Sequence, residues 1–122
     1  MTTRSTPTLY GIPHCEGVKR ARAWLAEQGL AVQFHDFKKQ GVPAEGLDHW
    51  LQASGWQTLI NRQGSTWRKL PAAEQAAVVD VASARALALA QPSVIKRPVV
   101  HWADGSITVG LQALMDHASR RR

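Results

Sequence analysis

The chain has 122 residues, of which 44% are apolar, 20% are charged and 7% are aromatic, a composition typical of a folded globular domain rather than a disordered segment. A chain of this length can bury about two-thirds of the surface that its unfolded form exposes, so neither a disulfide nor a structural metal is needed for a core. The formal net charge is +6, which favours anionic partners.

The first part of the chain predicts a strand, a helix and a second strand. Residues 8–10 form a short apolar run that Gly11 and Pro13 close. Apolar residues then recur at helical spacing as far as Gly29, at Val18, Ala21 and Leu25. Residues 32–37 give the second strand, and the two strands of such a βαβ unit are expected to be parallel.

The middle of the chain predicts a group of helices. Pro43 is well placed to begin a helix that Gly55 closes. Residues 61–69 are polar and predict a loop. The helical pattern resumes over residues 71–90, and it is expected to break near Asp80.

The last part of the chain predicts a hairpin followed by a helix. Residues 99–102 and 107–109 flank Asp104-Gly105, a dipeptide that tolerates the positive φ of a tight hairpin turn. A helix with one apolar face then begins near Leu111 and runs into the arginine tail at residues 120–122.

The order of these elements predicts an α/β, thioredoxin-like fold in a single domain, residues 1–122. We expect a four-stranded mixed sheet built from strands of both halves of the chain. A helical insertion at about residues 43–92 would separate the βαβ half from the ββα half.

Membrane, secretion, metal and nucleic-acid functions have no support in the sequence. No stretch approaches about 18 consecutive apolar residues, and residues 1–7 lack the apolar region of a signal peptide. The histidines have no metal-ligand spacing, and no basic stripe is interleaved with aromatic residues. A lone thiol, Cys15, suits a reducing compartment, and no surplus apolar face is evident, so we expect a cytoplasmic monomer.

Cys15 is the strongest candidate for chemistry because it lies in the turn between the first strand and the first helix. The first N–H groups of a helix have no partner within the helix, and with the helix dipole they can lower a cysteine pKa from about 8.5 to between about 3.5 and 7.5. Lys19, Arg20 and Arg22 could help to hold an anion near the sulfur. The adjacent His14, when protonated, would lower the pKa of Cys15 further.

Short segments spread over residues 9–114 carry a recognisable pattern. They include Tyr10-Gly11-Ile12-Pro13-His14-Cys15, Lys19-Arg20-Ala21, Trp24-Leu25, Asn61-Arg62, Gly64-Ser65-Thr66-Trp67-Arg68-Lys69-Leu70 and Ile95-Lys96-Arg97-Pro98-Val99. This pattern resembles the ArsC/Spx superfamily, and specifically its YffB-like branch. The resemblance implies a thioredoxin-like fold with a helical insertion, a redox-active or arsenate-reductase-type cysteine, and a cis peptide bond before Pro98.

The resemblance also supplies candidate binding residues. Arg97 would offer several donors and a permanent charge to a thiolate, a carboxylate or an arsenate oxygen, and Pro98 would shape the surface that faces the thiol. Arg62 resembles the substrate-binding arginine of arsenate reductases. Together with Lys19 and His14, these residues form the predicted substrate-binding set.

Three departures from the family pattern bear on the function. Cys15 is followed by Glu16-Gly17 rather than by the Gly-Thr-Ser run of arsenate reductases, and Gly110-Leu111 follow the hairpin without a further arginine, so the oxyanion cradle is incomplete. Val18 stands where Spx-type regulators often carry a second cysteine, which excludes an internal disulfide switch. The YffB-like pattern has Thr where Gly17 stands, so no role is predicted for position 17.

We therefore predict a glutathione-dependent thiol/disulfide oxidoreductase with Cys15 as the nucleophile, glutathione as co-substrate and no bound cofactor. Two alternatives stay open. One is an arsenate reductase coupled to glutathione and glutaredoxin, and the other is an Spx-like regulator that binds RNA polymerase through the basic helix face. The sequence does not name the physiological substrate.

Overall fold

The computed structural model describes residues 6–120, so the last two arginines of the predicted tail, Arg121 and Arg122, lie outside the described residues. The chain divides into two compact units. The first unit contains the chain up to Gln40 and again from Arg97 onward, and the second contains Gly41–Lys96. The helical insertion expected at about residues 43–92 falls within this second unit.

Four strands and eight α-helices follow one another in the described residues, with one 3₁₀ turn at Pro92–Val94. The strands are β1 (Thr8–Gly11), β2 (Gln33–Asp36), β3 (Val99–His101) and β4 (Ile107–Val109). The helices are α1 (Glu16–Glu27), α2 (Phe37–Gln40), α3 (Ala44–Ser54), α4 (Trp56–Leu59), α5 (Ser65–Arg68), α6 (Ala72–Ala76), α7 (Val81–Ala90) and α8 (Leu111–Arg120).

The first unit is built on one mixed sheet with the strand order β2-β1-β3-β4. Strands β1 and β2 are parallel, whereas β3 is antiparallel to both β1 and β4. Tyr10 on β1 lies opposite His35 on β2 and opposite Val99 on β3. The predicted α/β fold class, with a thioredoxin-like four-stranded mixed sheet, is therefore confirmed.

Helices α1 and α8 pack with the sheet in one apolar core. Their apolar faces follow the 3.6-residue helical period, which places side chains three or four positions apart on the same side. The buried members of this core are Leu9, Val18, Ala21, Leu25, Val100, Trp102, Leu114 and Ala118. Burial of this apolar stripe is what holds α1, and therefore its N-terminus, in a fixed position against β1.

In the second unit, α3 begins after Pro43 and ends at Gly55, as predicted. Gly55 has a φ of 83°, a left-handed conformation that glycine adopts without steric cost. The break predicted near Asp80 is where α7 begins, because the Asp80 side chain accepts a hydrogen bond from the backbone N–H of Ser83.

The structure corrects two local predictions. Phe37, predicted as the end of the second strand, begins α2 instead, because the Asp36 carboxylate accepts the backbone N–H of Lys38 at 2.8 Å and turns the chain. Residues 61–69, predicted as a loop, contain the one-turn helix α5. None of the helices in residues 6–120 is both long enough and apolar enough to span a bilayer.

Candidate active site

A tight turn after β1 sets the position of the candidate nucleophile. The backbone N–H of Cys15 donates to the Ile12 carbonyl at 3.1 Å, and the Cys15 carbonyl accepts the N–H of Lys19 at 2.9 Å. Cys15 therefore occupies the N-cap of α1, with an extended backbone conformation of φ −76° and ψ 126°. This confirms the predicted location of Cys15 between the first strand and the first helix.

The pKa of the Cys15 thiol lies below its ordinary value. Burial raises this pKa, but the backbone N–H of Val18, the hydrogen bond and charge of the Arg97 guanidinium, and the backbone N–H of Gly17 lower it by more. Gly17 and Val18 are the second and third residues of α1, whose N–H groups face the side chain of an N-cap residue. They form no side-chain capping bond of standard geometry with Cys15, but they still lower its pKa as backbone donors to the sulfur.

Arg97 and Pro98 lie immediately before β3, next to the cysteine turn. The peptide bond between them is cis, as the resemblance implied. The Pro98 carbonyl accepts the backbone N–H of Gly110 at 2.8 Å, which ties this segment to the end of β4. Arg97 and Cys15 thus belong to the same unit, and the guanidinium reaches the sulfur.

Lys19 and His14 have exposed side chains on either side of Cys15 in the sequence. The groups that lower the pKa of Cys15 are those of Val18, Arg97 and Gly17, and they do not include Lys19 or His14. Among the basic residues considered for the site, Arg97 is the one whose hydrogen bond and charge lower the pKa of Cys15. Lys19 and His14 stay candidates for contacts with a bound substrate.

Arg62 belongs to the second unit, where its guanidinium lies over the ring of Trp56 at 5.9 Å from the ring centre. It lines a cavity of about 290 Å³ whose walls are mainly polar and also include Asn61 and Lys96. Two cations and side-chain amides at one cavity form a surface suited to an anionic group.

The sequence predicted that the first N–H groups of α1 lower the pKa of Cys15, and the structure identifies them as those of Gly17 and Val18. A thiol at an N-cap is always faced by the N–H groups of the second and third helix residues. Among residues 6–120, no group of three or more His, Cys, Asp or Glu side chains is arranged to hold a metal ion.

The fold and the site define a thioredoxin-like protein with a single activated cysteine. Residues 10–113 match the pattern of the ArsC family, and the chain belongs to this family.

Individual relatives agree with this assignment. A YffB protein of known structure is 46% identical, covers 93% of this chain and 97% of its own, and superposes with a TM-score of 0.84. An arsenate reductase (ArsC) related protein from Brucella melitensis is 43% identical over the whole of both chains, with a TM-score of 0.74. An uncharacterised protein of Haemophilus influenzae is 32% identical over 84% of this chain and 89% of its own.

Proposed function

We propose that the protein is a glutathione-dependent thiol/disulfide oxidoreductase in which Cys15 is the nucleophile. The observation that carries the proposal is the lowered pKa of Cys15 at the start of α1, beside the Arg97 guanidinium. Only the thiolate attacks a disulfide, so a larger ionised fraction near neutral pH gives a faster reaction. Cys15 is only half-buried, which leaves it open to a substrate.

The proposed reaction consists of two thiol–disulfide exchanges. In the first, the Cys15 thiolate attacks the glutathione sulfur of a mixed disulfide; the S–S bond breaks, and the electron pair leaves with the substrate thiolate, which takes a proton from solvent. In the second, the thiolate of another glutathione attacks the glutathione sulfur attached to Cys15. This step releases oxidised glutathione and restores the Cys15 thiolate.

The resolving thiol in this scheme comes from outside the chain, because Cys15 is the only cysteine in the sequence. Arg97 supports both exchanges. It stabilises the attacking thiolate, and it makes the same sulfur a better leaving group when glutathione resolves the mixed disulfide. Lys19 and His14 are proposed to attract the carboxylates of glutathione, with Pro98 shaping the surface near the sulfur.

Replacement of the nucleophile tests the proposal. The wild type and Cys15→Ser are each given a glutathionylated peptide and reduced glutathione, and the formation of oxidised glutathione is followed by NADPH consumption with glutathione reductase. We expect turnover by the wild type and only the uncatalysed rate with Cys15→Ser. Ser119→Ala, an exposed change on α8, is the control and should retain wild-type turnover. Full activity in Cys15→Ser would refute the proposal.

A second candidate function is the reduction of arsenate, favoured by the 43% identical relative described as related to arsenate reductase. Arg97 at the sulfur would supply a cation for an oxyanion, and Arg62 resembles the substrate-binding arginine of arsenate reductases. Such an activity would draw two electrons from external thiols, with glutathione and glutaredoxin as the donors. If the protein reduces arsenate, glutathione should be oxidised only when arsenate is present, and the rate should fall in Arg62→Gln and in Arg97→Gln. The control, Arg120→Gln, should keep the wild-type rate. A wild-type rate equal to the background rate would exclude arsenate reduction.

A further inference from the structure

Gly17 is the second residue of α1, although neither its backbone conformation nor its packing requires glycine. Its φ is not in the left-handed region, in contrast to Gly29, Gly41 and Gly55. A Cβ atom added at Gly17 would lie 3.5 Å from the Arg97 carbonyl oxygen and 3.9 Å from the Cys15 sulfur, which are ordinary van der Waals distances. Alanine would therefore fit at position 17.

Glycine at such a position carries a cost for folding. It is among the least favourable residues in a helix, because it loses the most backbone freedom when the helix forms. A residue that breaks a local rule without a packing reason is expected mainly at functional sites. The atoms nearest to the missing Cβ are those of the active site, Arg97 and Cys15.

The space beside Gly17 bears on how a disulfide can reach the sulfur. A Cβ at 3.9 Å would already touch the sulfur, and the further atoms of a branched side chain would extend from that contact. Thiol–disulfide exchange needs the attacking sulfur to approach one sulfur of the disulfide, so the groups attached to that disulfide must also pass the rim of the site. A small disulfide passes more easily than one held on a large molecule.

We propose that Gly17 is a specificity-determining position that keeps the Cys15 sulfur open to a disulfide carried on a folded polypeptide. This inference rests on the proposed function and names the substrate class of the first exchange: a protein thiol joined to glutathione. The Cys15 thiolate takes the glutathionyl group, and the leaving electron pair goes to the protein thiolate.

The test compares one small and one large electrophile on the wild type, Gly17→Ala and Gly17→Val. Iodoacetamide is the small reagent, and a glutathionylated folded protein is the large one. Rate constants are measured at pH values high enough for Cys15 to be fully ionised, which removes any effect of a changed pKa. Ala23→Val adds the same side chain at an exposed position of α1 and is the matched control.

We expect the rate of Gly17→Val with iodoacetamide to stay within about twofold of the wild-type rate. With the glutathionylated protein, the rate of Gly17→Val should be at least about tenfold lower. Small misplacements of the reacting groups can change a reaction barrier by this much. The rate of Gly17→Ala with the glutathionylated protein should lie between those of the wild type and Gly17→Val. If Gly17→Val does not fold, Gly17→Ala serves as the test variant. Ala23→Val should match the wild type with both reagents.

Equal losses with both reagents, or no loss with the large one, would overturn the role of Gly17. These results differ from a failure of the proposed function. If the wild type turns over the glutathionylated peptide but forms no mixed disulfide with the glutathionylated protein, the substrate class inferred from Gly17 falls while the proposed function stands. If wild type and variants all form the mixed disulfide at the same rate, only the role of Gly17 is lost.

Discussion

The Arg97 guanidinium lies close enough to the Cys15 sulfur to lower its pKa, although the whole second unit, Gly41–Lys96, separates the two residues in the sequence. The antiparallel pairing of β1 with β3 brings them together, since Tyr10 lies opposite Val99, two residues beyond Arg97. The N-cap position alone is local and forms with α1. Full activation of the thiol therefore depends on assembly of the mixed sheet.

Removal of the Arg97 charge should raise the pKa of Cys15. In Arg97→Gln the hydrogen bond and the charge at the sulfur are both weakened, and the thiolate fraction at neutral pH falls, by at most about tenfold for each unit of pKa. Arg97→Lys keeps the charge but loses the planar guanidinium, so we expect an intermediate value. The pH dependence of the iodoacetamide rate measures each pKa.

The control for this pair is Arg120→Gln, which removes an exposed arginine at the end of α8. Its alkylation profile should coincide with that of the wild type. A pKa for Arg97→Gln equal to the wild-type pKa would mean that the guanidinium does not act on the sulfur.

The lowered pKa of Cys15 also predicts how stability depends on pH. Between the lowered folded-state pKa and the ordinary value, the unfolded chain binds the thiol proton more often than the folded chain does, so the free energy of unfolding rises with pH. The contribution is complete above the unfolded-state pKa and is lost as pH falls through the folded-state pKa. Cys15→Ser lacks it.

Urea unfolding of the wild type and Cys15→Ser over this pH window measures the effect. The difference in free energy of unfolding should shift in favour of the wild type as the pH is raised. A difference that stays constant, or that moves the other way, would show that the folded protein does not favour the thiolate.

The close approach of β1 to α1 predicts a steric effect at Gly11. A Cβ added there would lie 2.6 Å from a Val18 methyl carbon, and Val18 is fully buried and branched, so it cannot move aside cheaply. Gly11→Ala should lower the free energy of unfolding by about 1 to 3 kcal/mol, as overpacking of a core does. Gly17→Ala, where the space exists, should not lower it.

A double-mutant cycle separates this clash from other effects of Gly11→Ala. Val18→Ala removes the methyl groups that the new Cβ would meet, so the double variant should be more stable than the sum of the two single changes predicts. Additive losses would mean that Gly11 is required for another reason.

The core and the surface should respond differently to the loss of the same side chain. Leu25 on α1 is 1% exposed, whereas Leu30, just after the helix, is 37% exposed. Leu25→Ala should cost about 2 to 5 kcal/mol of unfolding free energy through lost burial and the cavity left behind. Leu30→Ala should cost under about 1 kcal/mol, because less of its apolar surface is buried. Similar losses in urea unfolding would contradict this packing arrangement.

The elements with strong local signals could be predicted from the sequence. The hairpin followed from Asp104-Gly105 between two apolar runs, and α1 followed from apolar residues at helical spacing before Gly29. The one-turn helices α4 and α5 gave no such signal, since four residues are too few to show a period and such short helices depend on their tertiary surroundings. The end of β2 was missed because a single side chain, that of Asp36, turns the chain there.

The candidate site also contains residues whose positions the sequence could predict and residues whose positions it could not. The place of Cys15 at the start of α1 was predictable because strand, turn and helix lie within one short segment. The approach of Arg97 depends on pairing between distant strands, and only the resemblance to a family pointed to it. The space beside Gly17 is a three-dimensional feature, which no spacing of residue types reveals.

The most direct test is the pKa of Cys15 itself, measured from the thiolate ultraviolet absorbance of the folded protein, with Cys15→Ser as the blank for the tyrosine and tryptophan signal. We predict a value clearly below the ordinary cysteine pKa of about 8.5, and a return toward it in Arg97→Gln. A wild-type value at or above the ordinary pKa would contradict the activation of this thiol.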